Sequence, residues 1–158
     1  MNQFFAMLSR MKYINRWGLM RNTQSENIAE HSLDVAVLAH ALALLRTRRF
    51  GVPCDAERAA VLGLFHDATE IITGDLPTPV KYHSPEIRRA YGEVESLAAD
   101  RLSAYIKCIE ERKAGNLEFL SAERQTLERI RSMALPEAEY FLEHFIPAFE
   151  QDLDGLGI

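Results

Sequence analysis

Apolar positions recur at helical spacing along almost the whole chain, and the alternation that marks strands is nearly absent, so the pattern predicts an all-α protein. Asn27, with Glu30 three residues later, reads as a capping pair opening a helix that ends in Arg46, Arg48 and Arg49 before Gly51. The middle of that helix is apolar on nearly every side, with Leu33, Val35, Val37, Leu38, Leu42, Leu44 and Leu45, which predicts a course through the centre of the domain. Asp55 caps a second helix, predicted to carry His66-Asp67 and to stop at Gly74. Gly74-Asp75-Leu76-Pro77-Thr78-Pro79 reads as a rigid loop, because each proline holds the residue before it extended. Ser84-Pro85 restarts a helix, and Gly115-Asn116 punctuates the helical pattern after it. Pro136 suits the first turn of a last helix that Pro147 kinks or ends. No repeat, low-complexity tract or linker divides the chain, so a single domain over 1–158 is expected.

One segment carries its polar residues in an unusual setting. From Ala59 to Ile72 there is no lysine or arginine, yet His66, Asp67 and Glu70 fall there. On a helical wheel these three share a stripe with Ala59 and Gly63, while Val61, Leu64, Phe65, Ala68, Ile71 and Ile72 take the other side. Acid and imidazole therefore line a close, small-residue groove, a setting in which a divalent cation can be held and a water activated.

Composition narrows the picture. Of 158 residues 47% are hydrophobic, enough for one domain with a sizeable core. The formal charge of −5 argues against a nonspecific binder of nucleic-acid polymers. Yet Arg10, Lys12, Arg16 and Arg21 all precede the first acid, Glu26, so the N-terminal segment offers local positive potential to a small anion. Cys54 and Cys108 fit neither a disulfide framework nor a CxxC motif, which points to a reducing cytoplasm. Met1-Asn2-Gln3 does not open a signal peptide, and the longest apolar stretch, Val35 to Leu45, is too short to span a bilayer, so no membrane partner is expected.

Each candidate also has a plain structural reading. His31 lies on the stripe of Val35, Leu38, Leu42 and Leu45, where a buried histidine held by one hydrogen bond is the commoner case. His40 falls half a turn away and reads as structural, and His83 and His144 have no obvious liganding companion. The dipeptide His66-Asp67 arises often by chance, and a carboxylate can simply orient an adjacent imidazole. Asp100 falls opposite Leu102, Tyr105, Ile106 and Ile109, so periodicity makes it a solvated acid. Arg16 and Trp17 read as an ordinary cation and a packing aromatic.

The combination is more specific than its parts. An H, then HD, then D pattern at His31, His66-Asp67 and Asp100 resembles the HD-domain metal-dependent phosphohydrolases. Asn15-Arg16-Trp17, Glu30-His31-Ser32, His66-Asp67-Ala68-Thr69-Glu70, the run from Gly74 to Tyr82 and Asp100-Arg101-Leu102-Ser103-Ala104-Tyr105 together resemble the bacterial 5'-deoxynucleotidase branch. The resemblance implies a compact all-helical HD bundle, a cytoplasmic homodimer, and hydrolysis of a deoxyribonucleoside 5'-monophosphate to deoxynucleoside and phosphate. It implies His31, His66, Asp67 and Asp100 as metal ligands, with cobalt or manganese most compatible and zinc or iron also compatible. Glu70 would handle a proton, Arg16 would orient the phosphate, and Trp17 with Asp75, Leu76, Pro77 and Thr78 would contact the sugar. His31 and Asp100 would border the substrate as well. Asp75 is a good acceptor for a 3'-hydroxyl, and a 2'-hydroxyl would be disfavoured by bulk or desolvation.

The chain departs from the family pattern at one place. A segment of a few tens of residues usually precedes the helix bearing the last aspartate, whereas here the flanking pieces abut near Leu97 to Asp100. Either the segment is lost or two pieces are joined across it. The second fits better, because a continuous helix would turn Asp100 outward. Two other readings stand beside the monophosphatase: an HD enzyme acting on a nucleoside triphosphate or cyclic nucleotide, and a noncatalytic metal-binding helical module.

Overall fold

The computed structural model describes residues 3–75 and 97–152. Helix α1 (Phe4–Leu8) leads through a 3₁₀ turn (Ser9–Tyr13) into a long loop, and α2 (Ile28–Phe50) follows. Then come α3 (Ala56–Phe65), α4 (Glu70–Thr73), α5 (Leu97–Lys113), α6 (Leu120–Ser132), α7 (Pro136–His144) and α8 (Ile146–Phe149). Among the described residues the only β pairing is an isolated bridge, Asn15 to Asn27, which closes the loop before α2.

The expected boundaries follow local chemistry. Asn27 and Glu30 form the reciprocal capping box, and Gly51 ends α2 in the left-handed region at φ 70°. Asp55 accepts the Arg58 N–H at the start of α3, and Pro136 occupies the first turn of α7. Pro147 falls where α7 has ended and α8 begins. The predicted helix at Ser84-Pro85, His83, and the loop residues Leu76, Pro77, Thr78 and Pro79 lie outside the described residues.

Two expectations need correction. The second helix does not run unbroken to Gly74. It stops at Phe65, and Ala68 and Glu70 bond back three residues to Phe65 and Asp67, so His66-Asp67 sits in a tight turn between α3 and α4. Nor is α2 covered on every side, since Leu33, Val37 and Leu44 are exposed along one stripe. By length and composition α2 could also cross a membrane, but half of its most apolar stretch is buried inside the fold, as expected of a core helix.

The core forms where Val35, Leu38 and Leu42 of α2 meet Leu102 and Ile109 of α5, closed by Ile130, Phe141 and Ile146. A second face of α5 is buried although it is polar. Ser103, Lys107 and Glu111 are buried beside Asp100 on one stripe, facing α2 and the loop before it. Lys107 Nζ donates to Glu111 Oε1 (2.7 Å) and to the Gln24 carbonyl (2.7 Å), while the Thr23 N–H and hydroxyl each donate to Glu111 Oε2 at 2.8 Å. Asn116 Nδ2 adds a further donor to Glu111 at 2.8 Å. Burial would raise the Glu111 pKa, but Lys107, Thr23 and Asn116 outweigh it and hold the carboxyl at about 2 against an ordinary 4.5.

A carboxylate depressed in the folded state stabilises above its unfolded pKa and loses that contribution as pH falls through its folded value. Chemical denaturation should therefore show stability falling from about pH 4.5 towards about 2. Glu111→Gln should flatten that part of the profile, and an unchanged slope would assign the acid sensitivity to other carboxylates.

Gly63 sets the spacing of α2 and α3. A Cβ placed there would lie 2.8 Å from Ala36 Cα and 3.0 Å from Ala36 N, both backbone atoms that cannot swing aside. Gly63→Ala would gain about 1 kcal/mol of helix propensity. Overpacking costs about 1–3 kcal/mol, and with rigid backbone as the obstacle the upper part of that range applies. Urea unfolding should show net destabilisation, and a stabilised variant would mean that the helices separate freely.

Candidate metal centre

Four chain segments meet at one end of the α2–α5 pair. The capping box fixes the start of α2 and places His31 one turn inside it, fully buried. The turn after α3 supplies His66 and Asp67, the first turn of α5 supplies Asp100, and the loop closed by the Asn15–Asn27 bridge supplies Arg16 and Trp17.

His31 Nε2 lies 3.0 Å from Asp100 Oδ1 and 3.5 Å from Asp67 Oδ2. His66 Nε2 lies 3.0 Å from the same Asp67 oxygen. One ligand atom from each of His31, His66 and Asp100 falls within 4.8 Å of the others. The far sides of the two rings are fixed by other groups: His31 Nδ1 meets Ser103 Oγ at 3.1 Å, and His66 Nδ1 meets the Gly63 carbonyl at 2.7 Å. A carbonyl can only accept, so His66 Nδ1 carries a proton and Nε2 is the nitrogen turned to the cluster. The Ser103 contact permits the same tautomer at His31.

The donor set fits a divalent cation. Both Nε2 atoms are buried without a hydrogen-bond partner among the described residues, although carboxylates stand within 3.5 Å. Burial would lower the His66 pKa, yet Asp67, the Gly63 carbonyl and Asp100 outweigh it and raise it. Burial would raise Asp67 and Asp100, yet His66 at Asp67 and His31 with Arg16 at Asp100 pull both below the usual carboxylate range. The cluster therefore favours positive charge at its centre.

Asp100 overturns the outward orientation read from periodicity. It occupies the first turn of α5, where the helix end abuts His31, and Ser103 continues the same face one turn on. Glu70 is buried at the start of α4, its N–H bonded to the Asp67 carbonyl at 2.9 Å. Arg16 NH1 donates to Glu26 Oε2 at 3.0 Å, and NH2 lies 3.8 Å from Asp100 Oδ1. Trp17 packs on buried Phe119 with ring centroids 5.4 Å apart, donates its indole N–H to Glu26 Oε2 at 2.9 Å, and gives its backbone N–H to Asp75 Oδ2 at 3.1 Å. His144 stacks on Tyr140 on the surface, away from the cluster.

Sequence reasoning missed Ser103 and Glu26. Ser103 falls three residues after Asp100, and that spacing on one helix face was the available signal.

Comparisons with known proteins give the family and the fold. The family model described as 5'-deoxynucleotidase YfbR-like matches residues 3–99 and 97–149. The chain belongs to that family. A 5'-deoxynucleotidase of Yersinia pestis (strain Pestoides F) is 42% identical over 193 positions, covering all of this chain and 98% of the relative, and one from Yersinia pseudotuberculosis (serotype O:3, strain YPIII) matches equally. Because 158 residues align over 193 positions, these relatives carry residues without a counterpart here, and the two family matches meet at 97–99, where α5 begins. An HD-domain phosphohydrolase from Listeria innocua superposes with a TM-score of 0.78 at 20% identity, covering 96% of this chain and 90% of that one. The cyanophage S-2L HD phosphohydrolase, solved with dA and one catalytic zinc ion, gives 0.67 at 20% identity over 93% and 96%. The fold is thus the all-α HD-domain bundle, and the family member is a phosphohydrolase with a centre suited to a divalent metal.

Proposed function

We propose that this chain hydrolyses deoxyribonucleoside 5'-monophosphates to deoxynucleosides and phosphate at the His31–His66–Asp67–Asp100 centre, acting as one domain over 1–158. The observation that carries the reading is the meeting of two buried imidazole nitrogens and two carboxylates beside a single arginine. His31, His66, Asp67 and Asp100 would hold the metal, with cobalt or manganese preferred and zinc or iron compatible with the same mixed set. When bound, a divalent cation supplies charge neutralisation for the phosphate and acidifies a water.

The protein's own groups do the rest. Arg16 orients the phosphate through its guanidinium fork, and His31 and Asp100 border it. Glu70 takes a proton on a carboxylate oxygen as water attacks phosphorus. The P–O5' bond then breaks, and a proton is returned to O5' of the leaving deoxynucleoside. Trp17 and Asp75 face the sugar, joined by Leu76, Pro77 and Thr78 of the following segment, and exclude a 2'-hydroxyl that would need both space and a partner. The exposed apolar stripe of Leu33, Val37 and Leu44 on α2, next to exposed Val61, Leu62 and Phe65 on α3, supports a homodimer. Two free cysteines and the acidic balance support a cytoplasmic enzyme without nucleic-acid or membrane partners.

The deciding measurement is phosphate release from deoxy- and ribonucleoside monophosphates of the same base, before and after chelation. Metal-dependent release from the deoxy substrate, at least about tenfold above the ribo one, is expected from excluding one hydroxyl. Equal rates, or preference for a triphosphate or cyclic nucleotide, would overturn the assignment.

A further inference from the structure

Glu26 is drawn into the site from a loop and belongs to none of the roles above. We propose that Glu26 is the positioning residue that holds Arg16 and Trp17 in register, and through them sets both turnover and sugar preference; this rests on the reading of those two residues given under the proposed function. A single carboxylate oxygen, Oε2, receives Arg16 NH1 at 3.0 Å and the Trp17 indole N–H at 2.9 Å. The main chain of Glu26 grips the same segment, its carbonyl accepting the Arg16 N–H at 2.9 Å. The other oxygen, Oε1, lies 3.8 Å from His31 Nδ1, so the carboxylate also borders the ring that faces the centre. The Glu26 side chain is only 11% exposed, so water competes weakly for these bonds.

Neither Arg16 nor Trp17 is fixed by regular structure. Trp17 adopts φ 60°, a left-handed conformation that disfavours a bulky side chain, so its pose depends on outside partners. Asp75 holds its backbone, Phe119 supports its ring, and Glu26 alone among the described residues bonds its indole nitrogen. Glu26 in turn is held because Thr23 and Gln24, a few residues earlier, are tied to Lys107 and Glu111 of α5. The phosphate-facing cation and the sugar-facing ring therefore share one anchor, and a displacement of either is passed to the other.

The test uses the full-length protein. Trp17 is the only tryptophan, so intrinsic fluorescence reports this side chain without any contribution from activity. Glu26→Ala should shift Trp17 emission to the red and raise its quenching by acrylamide, whereas Glu26→Gln, which keeps an amide oxygen for the indole, should stay near wild type. In kinetics on matched deoxy and ribo substrates, Glu26→Gln should lower kcat about tenfold with sugar preference kept, within the roughly 10²-fold penalty for a misplaced group. Glu26→Ala should lower kcat further and narrow the deoxy-to-ribo ratio. In an Arg16→Ala background the effect of Glu26→Gln should largely disappear, because it acts through Arg16. Additive effects in that pair, or unchanged Trp17 emission in a folded Glu26→Ala protein, would overturn the proposal. If Glu26→Ala fails to fold, the Glu26→Gln and Arg16→Ala pair decides. If wild-type enzyme releases no phosphate from deoxynucleotides, the functional reading fails, and fluorescence still decides whether Glu26 holds Trp17.

Discussion

Glu70→Ala should lose a factor of about 10² to 10⁴ in kcat while its metal content stays close to wild type. Glu70 is 1% exposed and opens α4 directly after the His66-Asp67 turn, bonded through its backbone to Asp67. The side chain is thus carried on the same rigid turn as two proposed ligands, His66 and Asp67. Removing it takes away a proton acceptor and leaves the donor set standing. Glu70→Gln keeps the shape and should fall about as far, because an amide cannot take the proton. Elemental analysis alongside single-substrate kinetics separates the two roles, and loss of bound metal from Glu70→Ala would make it a ligand.

Asp100→Ala should lose both the metal and the activity. Its Oδ1 is the carboxylate oxygen nearest His31 Nε2, at 3.0 Å, and it also faces Arg16 at 3.8 Å. Replacing groups that merely support ligands costs about 10- to 100-fold in affinity or activity, so losing a ligand should exceed about 10². The residue sits in the first turn of α5 and is only partly buried, so the helix and the core beneath it remain. Metal stoichiometry should drop, and excess cobalt or manganese should restore part of the rate. Full stoichiometry with low turnover would instead restrict Asp100 to holding Arg16.

The legible parts of this molecule are those whose chemistry is local. Asn27 with Glu30, Asp55 before Arg58, and Pro136 each announce a helix start through bonds made within a few residues. His66-Asp67 was visible as a polar pair in an apolar stretch, but its break from the helix was not, because three-residue backbone bonds leave no mark on side-chain periodicity. Gly63 signalled a close approach, and Ala36 is what approaches. Asp100 was misread by periodicity because a wheel separates apolar from polar and treats polar as wet. On α5 Ser103, Lys107 and Glu111 of the polar stripe are buried too, since their partners come from α2 and the loop before it rather than from water. Lys107 and Glu111 could be found only by knowing that the loop carrying Thr23 and Gln24 crosses that face, a contact between residues more than eighty positions apart.

That second buried face of α5 also decides how the enzyme can fail. The core contacts of Leu102 and Ile109, the proposed ligand Asp100 and the tether of the Arg16–Trp17 loop all hang on one rigid rod. Undocking α5 removes the acid, frees the loop and opens the core in the same event. Undocking of α5 therefore costs fold and function in one transition.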